Sequence, residues 1–315
     1  MMARWEGVWN QARLLGAAGM AVAVLVLAAA GHVWAGSAPT SKPTVRVGST
    51  NFTEQLIVAE LYGQILEANG YKVERRHNLG SREIVAPAIE SGQIDIYPEY
   101  LATYLVYLAK DKNSASPDAG ATHRALQQAL IPRQLTVLDY APAVDTNGFV
   151  VTKDTAGKHK LRRLSDLAPV GKQLVLGGPP ECPQRPFCLP GLQSTYGIRF
   201  KDFKALDVGG PLTVAALEGK QIDVAVLFTT DAVIAVKDLV LLEDDKHLQL
   251  ADNIAPVVRT AFLKEAPADF PVLLNGVSAL LTTEEVTGLN RRVGVEKRDP
   301  KQVAGAWLKQ KGLLK

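Results

Sequence analysis

The chain has 315 residues, enough for two lobes that each bury a core. With 47% hydrophobic and 21% charged residues it reads as globular rather than disordered. A net charge of +3, without a Lys/Arg run or a basic-aromatic stripe, argues against a nucleic-acid binder.

The first 35 residues read as a leader. Arg4 and Arg13 precede an apolar run over 14–30, and Val33-Trp34-Ala35 fits a cleavage site before Gly36. An uncleaved anchor is the alternative. No cysteine near the junction could carry a lipid. Residues 36–43 form a linker. Residues 44–47 alternate as a first strand. Asn51 then serves as an N-cap with Glu54 three residues on, opening a helix that ends at Asn69-Gly70. A second strand covers 71–75.

The stretch 79–103 (LGSREIVAPAIESGQIDIYPEYLAT) organises the chain. Gly80 and Ser81 turn; Ile84, Val85, Ala88 and Ile89 recur at helical spacing; Ile94 and Ile96 flank Asp95 as in a strand. Tyr97 to Tyr100 then stand at the strand's carboxyl end, where open α/β sheets bind ligands. Residues 101–109 and 123–130 are helical and 135–138 form a strand. The chain first changes lobes over 142–149. A strand at 149–151, a short helical connection at 161–167, a strand at 173–176 and a helix at 192–196 follow. The stretch 208–230 (VGGPLTVAALEGKQIDVAVLFTT) then repeats the turn, helix face and strand of 79–103, with Gln221 to Val224 matching Gln93 to Ile96. This strand ends in Phe228. A strand at 239–242 precedes the return over 250–259, and helices at 267–280, 283–293 and 300–311 close the chain. Alternation of this kind implies two similar lobes with mostly parallel sheets: lobe 1 from 44–143 and 251–315, lobe 2 from 144–250.

Catalytic signals are missing. The five histidines are scattered, and no phosphate loop, dinucleotide fingerprint or nucleophile elbow occurs. An enzyme on this scaffold would need a titratable pair in the cleft. The only cysteines, Cys182 and Cys188, form a close, even pair that favours a disulfide in an exported protein and makes a poor metal site. Such a bridge closes a small loop around Arg185, either as a surface staple or as support for a site. No cofactor or metal is implied. Polar and aromatic residues gather instead at strand ends and crossings: Thr50, Asn51, Tyr97, Tyr100, Thr103, Asp145, Asn147, Arg185, Phe228 and Asp252.

Five segments in order resemble the substrate-binding proteins of ABC importers for glycine betaine, carnitine and choline, the ProX/OpuC-like osmoprotectant group. They are GSTNFTEQLIVAELYGQILEANGYKVERR, the 79–103 stretch, RPFCLPGLQSTYG, QIDVAVLFTTDAVI and LVLLEDDKHLQLADNIAPVVR. The resemblance spans 45–314. It implies a type II periplasmic-binding-protein fold, a ligand cleft between the lobes, a periplasmic protein expected to act as a monomer, and a separate membrane permease with its ATPase. A sensor for another partner stays open as an alternative.

Such proteins hold a quaternary ammonium among tyrosine faces, and a carboxylate with an arginine, a lysine and a threonine. Tyr100 matches a cage tyrosine, Thr103 the threonine and Arg185 the arginine. Phe228, Asn147 and Asp252 stand where tyrosines are usual, Thr50 replaces the lysine, and Asp145 keeps a polar cage-edge position. These departures shift the pocket's charge negative and point to a ligand more purely cationic than glycine betaine, such as choline.

Overall fold

The computed structural model describes residues 42–315. The leader (1–35) and most of the linker (36–43) lie outside the described residues. The first part of the chain forms β1 (Thr44–Gly48), α1 (Thr53–Ala68), β2 (Lys72–Arg76), α2 (Arg82–Glu90), β3 (Ile96–Tyr100), α3 (Leu101–Ala109), α4 (Ala119–Leu130) and β4 (Leu135–Val137). Next come β5 (Asn147–Val151), α5 (Lys153–His159), β6 (Val175–Gly178), α6 (Leu189–Tyr196), β7 (Asp202–Ala205), α7 (Pro211–Glu218), β8 (Val224–Phe228), α8 (Val233–Val236) and β9 (Val240–Leu241). The last part forms β10 (Ile254–Arg259), α9 (Thr260–Glu265), α10 (Asp269–Ser278), α11 (Thr283–Asn290) and α12 (Pro300–Gln310).

Two five-stranded sheets result, ordered β2-β1-β3-β10-β4 and β7-β6-β8-β5-β9. The orders are the same, with β10 in one sheet standing where β5 stands in the other. Four strands of each sheet run in one direction and one, β10 or β5, runs against them. β1 pairs in parallel with β2 and β3, and β6 with β7 and β8, but β10 and β5 run antiparallel to both their neighbours. Parallel pairs need a crossover helix between them. The strand arriving from the other sheet has none, so it enters from the opposite direction. The two crossings lie side by side, with a bridge between Val144 and Asn253.

The repeat seen in the sequence recurs in atomic detail. The Gln93 and Gln221 amides donate to the Ala88 and Ala216 carbonyls, each at 2.8 Å. The Asp95 and Asp223 amides donate to Arg46 and Val175 carbonyls, and their carboxylates accept the Arg46 and Val175 amides in return at 2.9 and 2.8 Å. A glycine sits over the isoleucine of each repeat. A Cβ on Gly48 would stand 2.4 Å from Ile94 Cδ1, and one on Gly177 2.5 Å from Ile222 Cδ1. Side-chain-free backbone is what lets each helix-to-strand link press against the neighbouring strand.

Several elements differ from the periodicity reading. β3 runs through Tyr97 and Tyr100 instead of stopping before them, because β10 pairs along its full length. β7 is an exposed edge strand without the alternation that marks a half-buried one. α5 begins after Thr152, whose hydroxyl accepts the Thr155 amide, while 161–167 yields only a 3-10 turn at Leu164–Leu167. Asn51 is not a cap: α1 starts with Phe52 at its N-cap and no side-chain cap. The C-terminal helices return to the first sheet, where α1, α10, α11 and α12 enclose a core holding Tyr62, Phe270 and Trp307. The buried Tyr62 hydroxyl is satisfied by Ser278 Oγ at 2.8 Å.

Asp95 also pairs with two partly exposed arginines, Arg46 (2.8 Å) and Arg259 (2.9 Å), whereas Asp223 makes only its backbone bond. Asp95→Ala should therefore cost about 3 kcal/mol and Asp223→Ala about 1 kcal/mol in urea unfolding. Equal losses would contradict this account of the two links.

Candidate functional site

The repeat delivers each lobe's third strand end to one cavity of about 360 Å³ between the sheets. Tyr100 comes from the end of β3 and Phe228 from the end of β8, opposite Asn147 in the β5–β8 ladder. Phe52, on the loop between β1 and α1, joins them. Its ring centroid lies 4.8 Å from that of Phe228 and 6.2 Å from that of Tyr100, so both lobes contribute to one aromatic wall. Phe52 is not among the candidates read from the sequence. Its signal was available, since it follows a strand's carboxyl end as Tyr100 and Phe228 do.

Behind the wall lies Glu54, only 2% exposed. The Tyr100 hydroxyl donates to its Oε1 at 2.7 Å, and the Thr230 hydroxyl and Asn290 Nδ2 donate to its Oε2 at 2.6 and 2.8 Å. Glu54 thus joins α1, the end of the second sheet and α11, a role that a helix-capping glutamate would not have. Burial raises its pKa against the pull of those donors. Asp145 lies in the same region, accepting the Thr229 hydroxyl at 3.2 Å and the Thr230 amide at 3.1 Å. Burial, and then Glu54 and Asp231, raise Asp145 well above the usual carboxylate range. Burial pushes Asp231 up to about 7.

Asp145 therefore does not edge the cage; it is buried beneath it at the crossing. Asp252 is likewise displaced from its expected cage position. It is 3% exposed, does not line the cavity, and accepts the Thr103 amide and hydroxyl at 2.9 and 3.3 Å. Its work is to orient Thr103. Tyr97 belongs to the core of the first lobe, with its hydroxyl 3.2 Å from Glu99. Thr50, Asn51, Tyr100, Thr103, Asn147, Arg185 and Phe228 do line the one cavity.

Both arginines of the cavity are paired within the protein. Arg82 donates through Nε and Nη2 to Glu99 at 2.6 and 2.8 Å, and through Nη2 to the Thr103 hydroxyl at 2.7 Å. Arg185 reaches across the cleft to Glu83 on α2, with Nη2 at 3.0 Å and Nε at 3.4 Å. The Cys182–Cys188 disulfide holds the loop that carries Arg185, Pro186 and Phe187 to the cavity. Asn147 Nδ2 donates to the Phe187 carbonyl at 3.1 Å, tying that loop to β5. Arg82, Glu83 and Glu99 were absent from the sequence-based set. They lie in the organising stretch, but only the packing of α2 on β3 shows which side chains turn toward the cavity. Among the described residues no cluster of His, Cys, Asp and Glu could hold a metal ion.

Residues 43–310 match the family OpuAC, the substrate binding domain of ABC-type glycine betaine transport systems. The chain belongs to this family. It is 31% identical over 301 residues to the glycine betaine-binding protein YehZ of Escherichia coli K12, covering 90% of this chain and 98% of that one. It is 32% identical over 302 residues to a glycine-betaine-binding protein of Pseudomonas aeruginosa PAO1, covering 92% and 94%. A crystal structure titled as a glycine betaine/carnitine/choline ABC transporter superposes with a TM-score of 0.67 at 27% identity, covering 85% of this chain and 99% of that one. OpuAC proteins are binding components of importers rather than enzymes. They take up small solutes outside the cytoplasm and deliver them to a membrane permease. The two-lobe α/β architecture is the type II binding-protein fold.

Burial pushes Asp252 up to about 7 although the Thr103 amide and Arg82 favour its charged form. The folded protein then keeps a proton that the unfolded chain releases near pH 4. Stability from this group is complete below that pH and lost as pH rises through 7. Asp252→Asn removes the loss, so its melting temperature relative to the parent should climb between pH 4 and pH 8. A difference that stays flat would mean that Asp252 ionises normally.

Proposed function

We propose that this chain captures a small quaternary-ammonium solute of the choline, glycine betaine and carnitine type by closing its lobes, and hands it to a membrane permease. The observation that carries this reading is the aromatic wall of Phe52, Tyr100 and Phe228, built from both sides of one cavity. A permanent cation gains from desolvated ring faces, by up to about 2 kcal/mol each. Glycine betaine, for which the two bacterial relatives are named, fits the same chemistry.

The lobes divide near residues 143–144 and 250–251, and the hinge is the pair of crossings around Asp145–Asn147 and 250–253. Short crossings absorb rotation while packed lobes stay rigid. Ligand held by the Tyr100 and Phe228 sides together favours the closed form through its differential affinity. Thr103, Asn147, Arg185 and Thr50 supply polar contacts around the ring wall. Residues 1–35 act as a cleaved leader that sends the chain to the periplasm. Among the described residues no helix is long and apolar enough to cross a membrane.

Titration calorimetry with choline, glycine betaine and carnitine tests the reading. At least one should bind, and Phe228→Ala should weaken it by about thirtyfold, the equivalent of one desolvated ring contact. Failure of all three to bind, or an unchanged affinity in Phe228→Ala, would overturn it. For the leader, amino-terminal sequencing of exported protein should read from Gly36; an intact Met1 would contradict cleavage.

A further inference from the structure

Within the quaternary-ammonium reading, on which this step rests, we propose that Glu83 is a specificity-determining residue. By occupying the two-pronged face of Arg185 from across the cleft, it turns the cavity toward a small cation bearing a neutral hydroxyl and away from its carboxylate counterpart.

A guanidinium recognises a carboxylate best through two parallel N–H donors. Two guanidinium groups line this cavity, and both have such a pair of donors in use. Glu99 takes Nε and Nη2 of Arg82, and Glu83 takes Nε and Nη2 of Arg185. A second carboxylate, Glu181, stands 3.9 Å from Arg185 Nη2. Although burial acts in the other direction, Arg185 brings Glu83 down to about 2, so it is charged at any working pH. A ligand carboxylate seeking the Nε–Nη2 fork would have to displace Glu83 and leave that charge unpaired in the cleft, and one approaching Nη1 would meet the Glu83 charge beside it. The remaining cation on the lining, Lys110, lies exposed with Nζ 4.1 Å over the Tyr107 ring, where solvent screens it.

A neutral polar partner is available. Thr50 is 7% exposed and lines the cavity, and its hydroxyl oxygen has no hydrogen-bond partner among the described residues. A buried hydroxyl left unmatched is costly, and an alcohol group on the ligand would satisfy it without bringing charge. The cavity thus combines ring faces for a cation, a free hydroxyl, and guanidinium groups whose Nε–Nη2 forks are already taken by protein carboxylates.

Choline and glycine betaine share a trimethylammonium head and differ in carrying a hydroxymethyl or a carboxylate, so their affinity ratio isolates the second group. Titration calorimetry at one ionic strength should find choline bound about tenfold more tightly by the parent protein. Glu83→Gln should raise glycine betaine affinity about tenfold with little change for choline, and the gain should vanish in the Glu83→Gln/Arg185→Gln double variant. Thr50→Val should weaken choline while leaving glycine betaine unchanged, an arm that does not depend on how Glu83→Gln folds. A parent that prefers glycine betaine, or a Glu83→Gln protein that loses both ligands equally, would overturn the proposal and leave Glu83 a mere inter-lobe tie. Binding of neither ligand by the parent would instead remove the quaternary-ammonium reading beneath it.

Discussion

A single buried carboxylate, that of Glu54, ties together the parts on which the cavity depends. It anchors the Tyr100 hydroxyl, receives the Thr230 hydroxyl from the second lobe, and is held by Asn290 from a C-terminal helix. A carboxylate taken out of water is stable only when donors surround it or a proton neutralises it. Here three donors converge, and burial still raises its affinity for a proton. Any rearrangement of the lobes that separates Thr230 from Glu54 therefore exposes a polar group that the packed form had satisfied. Asp145 and Asp231 crowd the same region, and their charged forms oppose one another. The seam between the lobes is consequently a place where protonation, hydrogen bonding and geometry are coupled.

The two halves reach this seam by the same route. In each, a short helix ends at a Gly-(Lys)-Gln-Ile-Asp link, an aspartate binds back to the neighbouring strand, and the next strand runs outward to an aromatic residue. Because the links are built alike, Tyr100 and Phe228 arrive at comparable heights from opposite sides. Phe52 fills the space between them. Each link turns through one left-handed residue, Gly92 at φ 76° and Lys220 at φ 55°, while the three ring residues keep ordinary backbone.

Polar pairing shapes the remainder of the cavity. Arg82 and Glu99 fix the floor on the first lobe, and through Thr103 they connect to Asp252 at the second crossing. Arg185 and Glu83 connect the two sides across the opening. Ion pairs of this partly shielded kind are geometric devices more than sources of stability. In the proposed reading they decide which charges a visiting solute finds free, and so bear on selectivity rather than on the fold.

The sequence by itself determined the two-lobe plan, the repeated unit, the cysteine bridge and seven of the residues that line the cavity. Local patterns sufficed because helix periodicity, glycine-bounded links and strand-end aromatics are properties of short segments. It also placed Asp145 and Asp252 near the crossings but assigned them to the wrong side of the wall. Only the tertiary structure could decide that. Whether a carboxylate faces the cavity or hydrogen-bonds behind it depends on which distant amides and hydroxyls packing brings within 3 Å, as Thr103 does for Asp252 and Thr230 for Asp145. The same holds for the antiparallel pairings of β10 and β5 and for the Glu83–Arg185 pair, which join residues far apart in the chain. Spacing along a chain carries no record of such meetings, because they are set by how distant segments pack together within and between the lobes.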